Sequence, residues 1–396
     1  MSTRESRQFK TVCFAIEGMS SFSVSLYSYY IYFLMRDRFG FSGRDNLAFA
    51  ALNGLIYVIA SWQGGRFGQR RGYFNAFKFG FSLMILALGA GWRFDSVPGL
   101  VLATGAFNVG MCFIWPTIEA LVSGGEDAVG LPRMVGTYNV VWAATNVLAL
   151  FGGGTLVEKF GYKTIFFLPI TVFIALLALV FRLQKHPHAA RAGSHDSAPV
   201  PAAVPDAHRP SPAKTRAFLR MAWLSNPFAY IAINTFIPLL PTLAAHFHLT
   251  PMFAGFACSL WGFVRLGTFI VLWAWTDWHY RFRWLVTAFA TLIISFAAIL
   301  IVPNLVVLLL AQIFFGAAIG LIYYSSLFYS MDASEAKGEH GGIHEAAIGV
   351  GNCIGPAVGA ASLQFLPQYA NSGAIAVSVL LLGGLGGLLA IWKTAR

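Results

Sequence analysis

QKHPHAARAGSHDSAPVPAAVPDAHRPSPAKT, Gln184 to Thr215, divides this chain of 396 residues. The stretch is rich in Pro, Ala, His and Ser, and its only sizeable apolar residues are Val200 and Val204. It cannot bury enough apolar surface to offset the entropy of ordering, so it reads as a disordered linker. On either side lies a block made mostly of hydrophobic runs, 1–183 before it and 216–396 after it.

Composition places those blocks in a membrane. The chain is 57% hydrophobic and 11% charged, with a mean hydropathy of +0.66 and 36 Phe, which excludes an ordinary soluble domain. A helix crossing the bilayer core needs about 20 mainly apolar residues. Twelve runs qualify: 11–35, 47–63, 74–92, 98–122, 134–157 and 163–183 before the linker, then 218–245, 252–275, 284–302, 304–330, 342–365 and 372–392 after it. The expected fold is an all-α membrane protein of twelve transmembrane helices in two six-helix pseudo-repeats.

The net charge of +11 is topology and not a nucleic-acid footprint. With the N-terminus in the cytoplasm, twenty Lys and Arg fall on the cytoplasmic side. Only Arg36, Arg38, Arg44, Arg93, Lys159 and Lys163 fall outside. That bias puts both termini inside and the protein in the cell's inner membrane. Residues 1–10 are polar and the first apolar run is too long for a signal peptide, so no cleaved targeting segment is expected. The four cysteines, Cys13, Cys112, Cys258 and Cys353, lie inside runs with no CxxC pair and read as packing residues. The linker histidines are too sparse and irregular for a metal site, and no cofactor is expected. No GxxxxGK[ST] phosphate loop occurs, which excludes ATP-driven transport by this chain alone.

The halves repeat. An offset of 206 lays GTYNVVWAATNVLALFGG (Gly136 to Gly153) on GIHEAAIGVGNCIGPAVG (Gly342 to Gly359). Gly136 falls on Gly342, Asn139 on Glu345, Asn146 on Asn352 and Gly153 on Gly359. Gly110 and Glu119 of the fourth run fall near Gly320 and Tyr329 of the tenth. Between the second and third runs stands GGRFGQRRGYF (Gly64 to Phe74), and between the eighth and ninth TDWHYRFRW (Thr276 to Trp284). Here the chain resembles the major facilitator superfamily of transporters. That family's loop signature runs Gly-x-x-x-Asp-Arg-x-Gly-Arg-Arg/Lys and is often echoed in the second half. Arg66, Gly68, Arg70 and Arg71 match it, while Gly65 stands at the acidic position and Ser61 at the leading glycine. The second copy keeps Asp277, Arg281 and Arg283 but lacks the glycine. The GNCIGPAVG stretch is similar to the family's glycine-proline motif, displaced from the fifth helix to the eleventh. The resemblance implies a substrate site near the midplane between parallel repeats, and alternating access. It also implies a cytoplasmic gate at Arg66, Gly68, Arg70, Arg71, Asp277 and Arg281, with Glu119 in its salt bridge.

Ionisable groups inside a span are costly, so each is a functional candidate. Arg265 sits near the middle of the eighth run, LWGFVRLGTFIVLW, too deep to snorkel. It needs a carboxylate, backbone carbonyls or an anionic substrate. Glu345 and His344 open the eleventh run, where an acid beside an imidazole suits proton exchange; equally, Glu345 stabilises a helix N-terminus. Glu17, early in the first run, fits either proton coupling or an interfacial position. The stripe Asn139, Trp142, Asn146 shares one helical face and suits a hydroxylated or neutral ligand, or helix–helix hydrogen bonding. Tyr27 and Tyr30 fit a cavity lining or an interfacial aromatic belt. Asn352, Asn234, Trp261 and Tyr323 complete the candidate substrate contacts, with Trp115 and Tyr324 weaker.

The expected function is a secondary active transporter for a small organic solute, driven by protons, with the lipid bilayer as its surroundings and no nucleic-acid partner. A sugar, an amphipathic compound and an organic anion all fit the candidate residues. The rival readings are an uncoupled facilitator and a non-transporting membrane receptor or assembly partner of the same fold. No nucleophile–base pair stands out, so no enzymatic activity is expected.

Overall fold

A computed structural model describes the backbone of residues 3–124, 130–185, 211–332 and 337–395, and the side chains of 7–124, 133–185, 211–330 and 348–395. Most of the expected linker, and the side chains of His344 and Glu345, lie outside these described residues.

The chain forms α1 (Thr3–Phe39), α2 (Gly43–Arg71), α3 (Tyr73–Arg93), α4 (Val97–Ser123), α5 (Gly130–Phe160) and α6 (Thr164–Leu183). After the linker come α7 (Pro212–His246), α8 (Pro251–Cys258), α9 (Leu260–Ala274), α10 (Phe282–Ile301), α11 (Leu305–Asp332), α12 (Lys337–Phe365) and α13 (Ser372–Thr394). α8 and α9 are two pieces of one span, so among the described residues thirteen helices make twelve spans. Ten spans among the described residues are long and apolar enough to cross a bilayer. The other two long helices are α1, diluted by its serines and tyrosines, and α12, which begins with Gly, His and Glu.

Helix starts follow the local sequence. Ser96, Ser211 and Thr250 each accept the backbone N–H three residues on, with a proline in the first two helical positions. Asn304 Oδ1 accepts from the N–H groups of Val306 and Val307 at 2.9 and 3.1 Å and starts α11. Only one residue separates α2 from α3: Gly72, at φ +92°, a left-handed conformation that a side chain would strain.

The chain divides into two compact units. One holds Met1–Ile31 and Ile59–Pro205, the other Tyr32–Val58 and Asp206–Arg396. The unit boundary near the linker is where the composition changes, but the end of α1 and the first half of α2 belong with the second-half helices. Contacts within that second unit account for this. The Arg36 guanidinium donates to the Pro241 carbonyl, and Arg44 Nη1 donates to Gln364 Oε1 at 2.7 Å. The backbone of α2 at Gly54 lies against the Asn352 carbonyl, an approach that leaves no room for a side chain.

Aromatic rings form the core of the first unit. Phe77 stacks on Phe81 at 5.9 Å, Phe81 meets Phe173 at 5.8 Å, and Phe173 meets Phe107 at 6.2 Å. Tyr27 closes the chain against Phe107 at 4.7 Å, so one ring network joins α1, α3, α4 and α6. Large apolar side chains such as Leu86, Leu102 and Ile294 face outward, as surfaces against lipid do.

Adjacent glycines of α2 separate packing from loop chemistry. A Cβ at Gly64 would run into the Cys112 carbonyl of α4, whereas nothing lies within 4 Å of one at Gly65. Gly64→Ala is therefore expected to cost about 1–3 kcal/mol, read as a lowered Tm of the purified protein in detergent. Gly65→Ala is expected to leave Tm unchanged or raise it. Equal effects at the two positions would contradict this packing.

Candidate functional site

The first unit gathers its polar side chains along α1 and α5. Glu17 is fully buried. Its Oε1 accepts from Ser21 Oγ at 2.9 Å, while Oε2 has no hydrogen-bond partner. Gly18 lets α1 pass close to Val141 and Thr145 of α5 at this level. Three turns further on, Tyr29 donates to Asn146 Oδ1 and the Asn146 amide donates to Ser25 Oγ, both at 2.8 Å. Asn139 is buried on the same helix and Trp142 is half-buried.

Tyr27 and Tyr30, expected on a cavity face or in an interfacial belt, are fully buried in the bundle. The Tyr27 hydroxyl meets Thr104 Oγ1 at 2.7 Å, and Tyr30 donates to the Leu150 carbonyl at 2.5 Å. Gly153 gives the Tyr30 ring its space. Their hydroxyls hold α1 to α4 and α5, and the tyrosine that reaches the polar stripe is Tyr29. The sequence carried a signal for this: Tyr29 stands beside Ser25 on α1, one turn apart, opposite an amide.

The second unit builds a matching contact. Asn234 of α7 donates to Asn352 Oδ1 of α12 at 2.6 Å and to the Tyr230 carbonyl at 3.1 Å. Asn146 and Asn352 are equivalent under the repeat, and Tyr29 and Asn234 differ from that offset by one residue. Each half thus ties its first span to its fifth with a side-chain hydrogen bond at the same place. The Tyr323 ring lies 6.4 Å from that of Tyr230 and 5.6 Å from that of Phe269.

Arg265 is buried with its guanidinium over the Trp261 ring, 4.8 Å from the centroid. The Trp261 Nε1 is buried and has no hydrogen-bond partner. What aims these two side chains is a break in the span, which the sequence reading placed as one continuous run from 252 to 275. An unbroken helix would bond the Trp261 N–H to the Ala257 carbonyl. Gln312, fully buried on α11, occupies that gap: its Nε2 donates to the Ala257 carbonyl at 2.7 Å and its Oε1 accepts the Trp261 N–H at 3.5 Å. An inserted amide satisfies both freed backbone groups, which is the condition for breaking a helix in hydrocarbon. Sequence reasoning passed over Gln312, although a lone amide in LVVLLLAQIFF is itself a signal.

The loop between α2 and α3 and the loop between α9 and α10 are held in different ways. In the first unit Arg66 stacks over Trp62 at 4.1 Å, and Gly68 lies against Tyr73 and Thr117, with Arg70 and Arg71 exposed beyond. Glu119 is half-buried on α4. In the second unit Asp277 and Arg281 are exposed on either side of a buried Trp278. Trp278 packs on Phe328 at 5.3 Å and Tyr324 at 5.9 Å, and donates to the Leu272 carbonyl at 3.3 Å. Tyr329, the repeat counterpart of Glu119, accepts the Tyr280 N–H at 3.0 Å. This loop is packed through rings.

The sequence profile of the Major Facilitator Superfamily matches residues 13–360, most of the chain. The chain belongs to that superfamily and is a multi-pass membrane protein. No curated protein matches it in sequence. Among solved structures it is similar to a bacterial homologue of the human lysosomal transporter Spinster, with TM-score 0.68, 12% identity, and coverage of 100% of this chain and 96% of that one. It is similar also to the peptide transporter POT (TM-score 0.72, 14% identity, 98% and 94% covered) and to the nucleoside transporter NupG (TM-score 0.68, 13% identity, 98% and 98% covered). At such identities the likeness is one of fold.

The Gln312 insertion is open to test. Gln312→Leu leaves a carbonyl and an N–H without partners and is expected to cost about 1–3 kcal/mol, seen as a lowered Tm in detergent. A Gln312→Leu protein as stable as wild type would contradict the hydrogen-bond assignment.

Proposed function

We propose that the chain is a secondary transporter that moves a small organic solute across the inner membrane by alternating access, coupled to protons, with both termini in the cytoplasm. The observation that carries this reading is Glu17, a fully buried carboxyl group with one oxygen unpartnered, on a membrane-spanning helix. An intramembrane ionisable group of this kind is retained at a cost and belongs with ion or proton movement. Glu17 takes and releases the coupled proton, with Glu345 and His344 of the second half as the further candidates. Moving one charge through 100 mV is worth about 2.3 kcal/mol, enough for a single proton to drive useful accumulation.

The solute contacts fall to Arg265 with Trp261, to Asn234, Asn352 and Tyr323, and in the first half to Asn139, Trp142 and Asn146. The transporters of like fold carry different cargoes by name, peptides in one case and nucleosides in another, so cargo is left to these side chains. Arg66, Gly68, Arg70, Arg71 and Glu119, with Asp277 and Arg281, form the cytoplasmic gate. Gly65, in place of the family's acid, favours the rival reading of a receptor that kept the fold.

The test uses purified full-length protein in liposomes loaded with a pH indicator. Sugars, organic anions and amphipathic cations are added in turn, with wild type beside Glu17→Gln and Arg265→Ala. Wild type is expected to move protons with one of these classes. Glu17→Gln is expected to lower that proton movement at least tenfold while tracer exchange persists, and Arg265→Ala to weaken solute binding. Full proton movement in Glu17→Gln would remove the role given to Glu17. Binding with no flux would establish the receptor.

A further inference from the structure

The two repeat-matched hydrogen bonds differ in what they leave unused. In the first unit the Asn146 side chain is engaged at both ends, by Tyr29 on its oxygen and by Ser25 through its nitrogen. In the second unit the assignment of atoms is forced. The Tyr230 carbonyl only accepts, so the Asn234 atom 3.1 Å from it is Nδ2. The same Nδ2 lies 2.6 Å from Asn352, which must therefore present Oδ1. Both N–H groups of Asn234 are then committed. What remains is one acceptor, Asn234 Oδ1, and one donor, Asn352 Nδ2, for neither of which a partner exists among the described residues.

Both side chains are partly exposed, so these atoms are within reach of a ligand. At membrane depth an idle donor and an idle acceptor are costly unless something fills them. Tyr230 stands one turn before Asn234 on α7, and its ring lies 6.4 Å from that of Tyr323. We propose that Asn234 and Asn352 form a reading edge for a ligand with a cis-amide group, a C=O and an N–H side by side, as in lactams, imides, primary amides and nucleobases. The ligand carbonyl accepts from Asn352 Nδ2 and its N–H donates to Asn234 Oδ1. A flat ring bearing that group lies against the tyrosines. The inference names a solute class for the transporter proposed above and rests on that reading for its physiological meaning, but not for the binding itself.

The repeat explains why only one half does this. The phenol of Tyr29 stands where Asn234 stands in the other half, and Ser25 takes up the amide that Asn352 leaves free. The first contact is a closed tie between helices. The second performs the same tie and still presents an edge.

The experiment measures binding to purified full-length protein in detergent, by thermal shift and saturation-transfer NMR. The probes are 2-pyridone and benzamide, each beside its partner without the N–H, N-methyl-2-pyridone and N,N-dimethylbenzamide. Wild type is expected to bind the N–H members on the order of tenfold more tightly. Asn352→Asp, ionised at this partly exposed position, keeps an acceptor for Asn234, removes the donor and adds a negative charge. It is expected to weaken 2-pyridone and benzamide on the order of tenfold. Equal affinity within each pair, or no binding of any probe at millimolar concentration, would overturn the proposal, and these comparisons need no variant. So would undiminished binding by a folded Asn352→Asp protein. Pair discrimination without flux in liposomes would retire the transporter reading and leave this edge in place. Flux without discrimination would do the reverse.

Discussion

The lack of water in hydrocarbon governs this molecule. A backbone or side-chain group that would find water in a soluble protein must find a partner within the bundle. Most of the polar chemistry described above is the solution to that one problem. Thr104, Leu150 and Asn146 absorb three tyrosine hydroxyls of α1, and Ser330 Oγ lies 3.0 Å from the Trp223 indole nitrogen. Gln312 repairs a helix broken beside Arg265. The same constraint gives the exceptions their meaning. Glu17 Oε2, Trp261 Nε1, Asn234 Oδ1 and Asn352 Nδ2 have no partner among the described residues. Groups left idle at such cost are where protons and solute are to be sought.

The duplicated halves show what a repeat preserves. The first-to-fifth-span hydrogen bond persists while its chemistry changes, phenol to amide in one case and amide to amide in the other. At the loops after the second and eighth spans the positions persist and the chemistry changes more. Glu119 has Tyr329 as its counterpart, and the second loop is packed through Trp278. An indole and a phenol can fix a loop in place as a charge pair can, with less dependence on salt.

The span count and the two-fold repeat were legible because they rest on run length and on spacing, which survive substitution. Arg265 was legible as a buried cation because it stands alone in an apolar run. The break beside it was not, since the amide responsible lies fifty residues downstream on another helix. Tyr27 and Tyr30 drew notice over Tyr29 because spacing tells which residues share a face, but not which face meets a polar neighbour. That Glu17 is wholly buried among its neighbours depended on how α1 packs in the bundle, which the run alone does not show. The matched asparagines were readable as a pair across the repeat. Which of their atoms were spoken for depended on a backbone carbonyl of α7, beyond any pattern in the residues.

The central claim is coupled transport, and gradient-driven accumulation tests it most directly. Wild-type protein in liposomes, given an imposed pH difference and a labelled solute of a class that binds, is expected to concentrate that solute above its external level. A protonophore is expected to collapse the gain to equilibrium. Uptake that reaches equilibrium and stops, unchanged by the gradient or the protonophore, would contradict proton coupling and leave a facilitator.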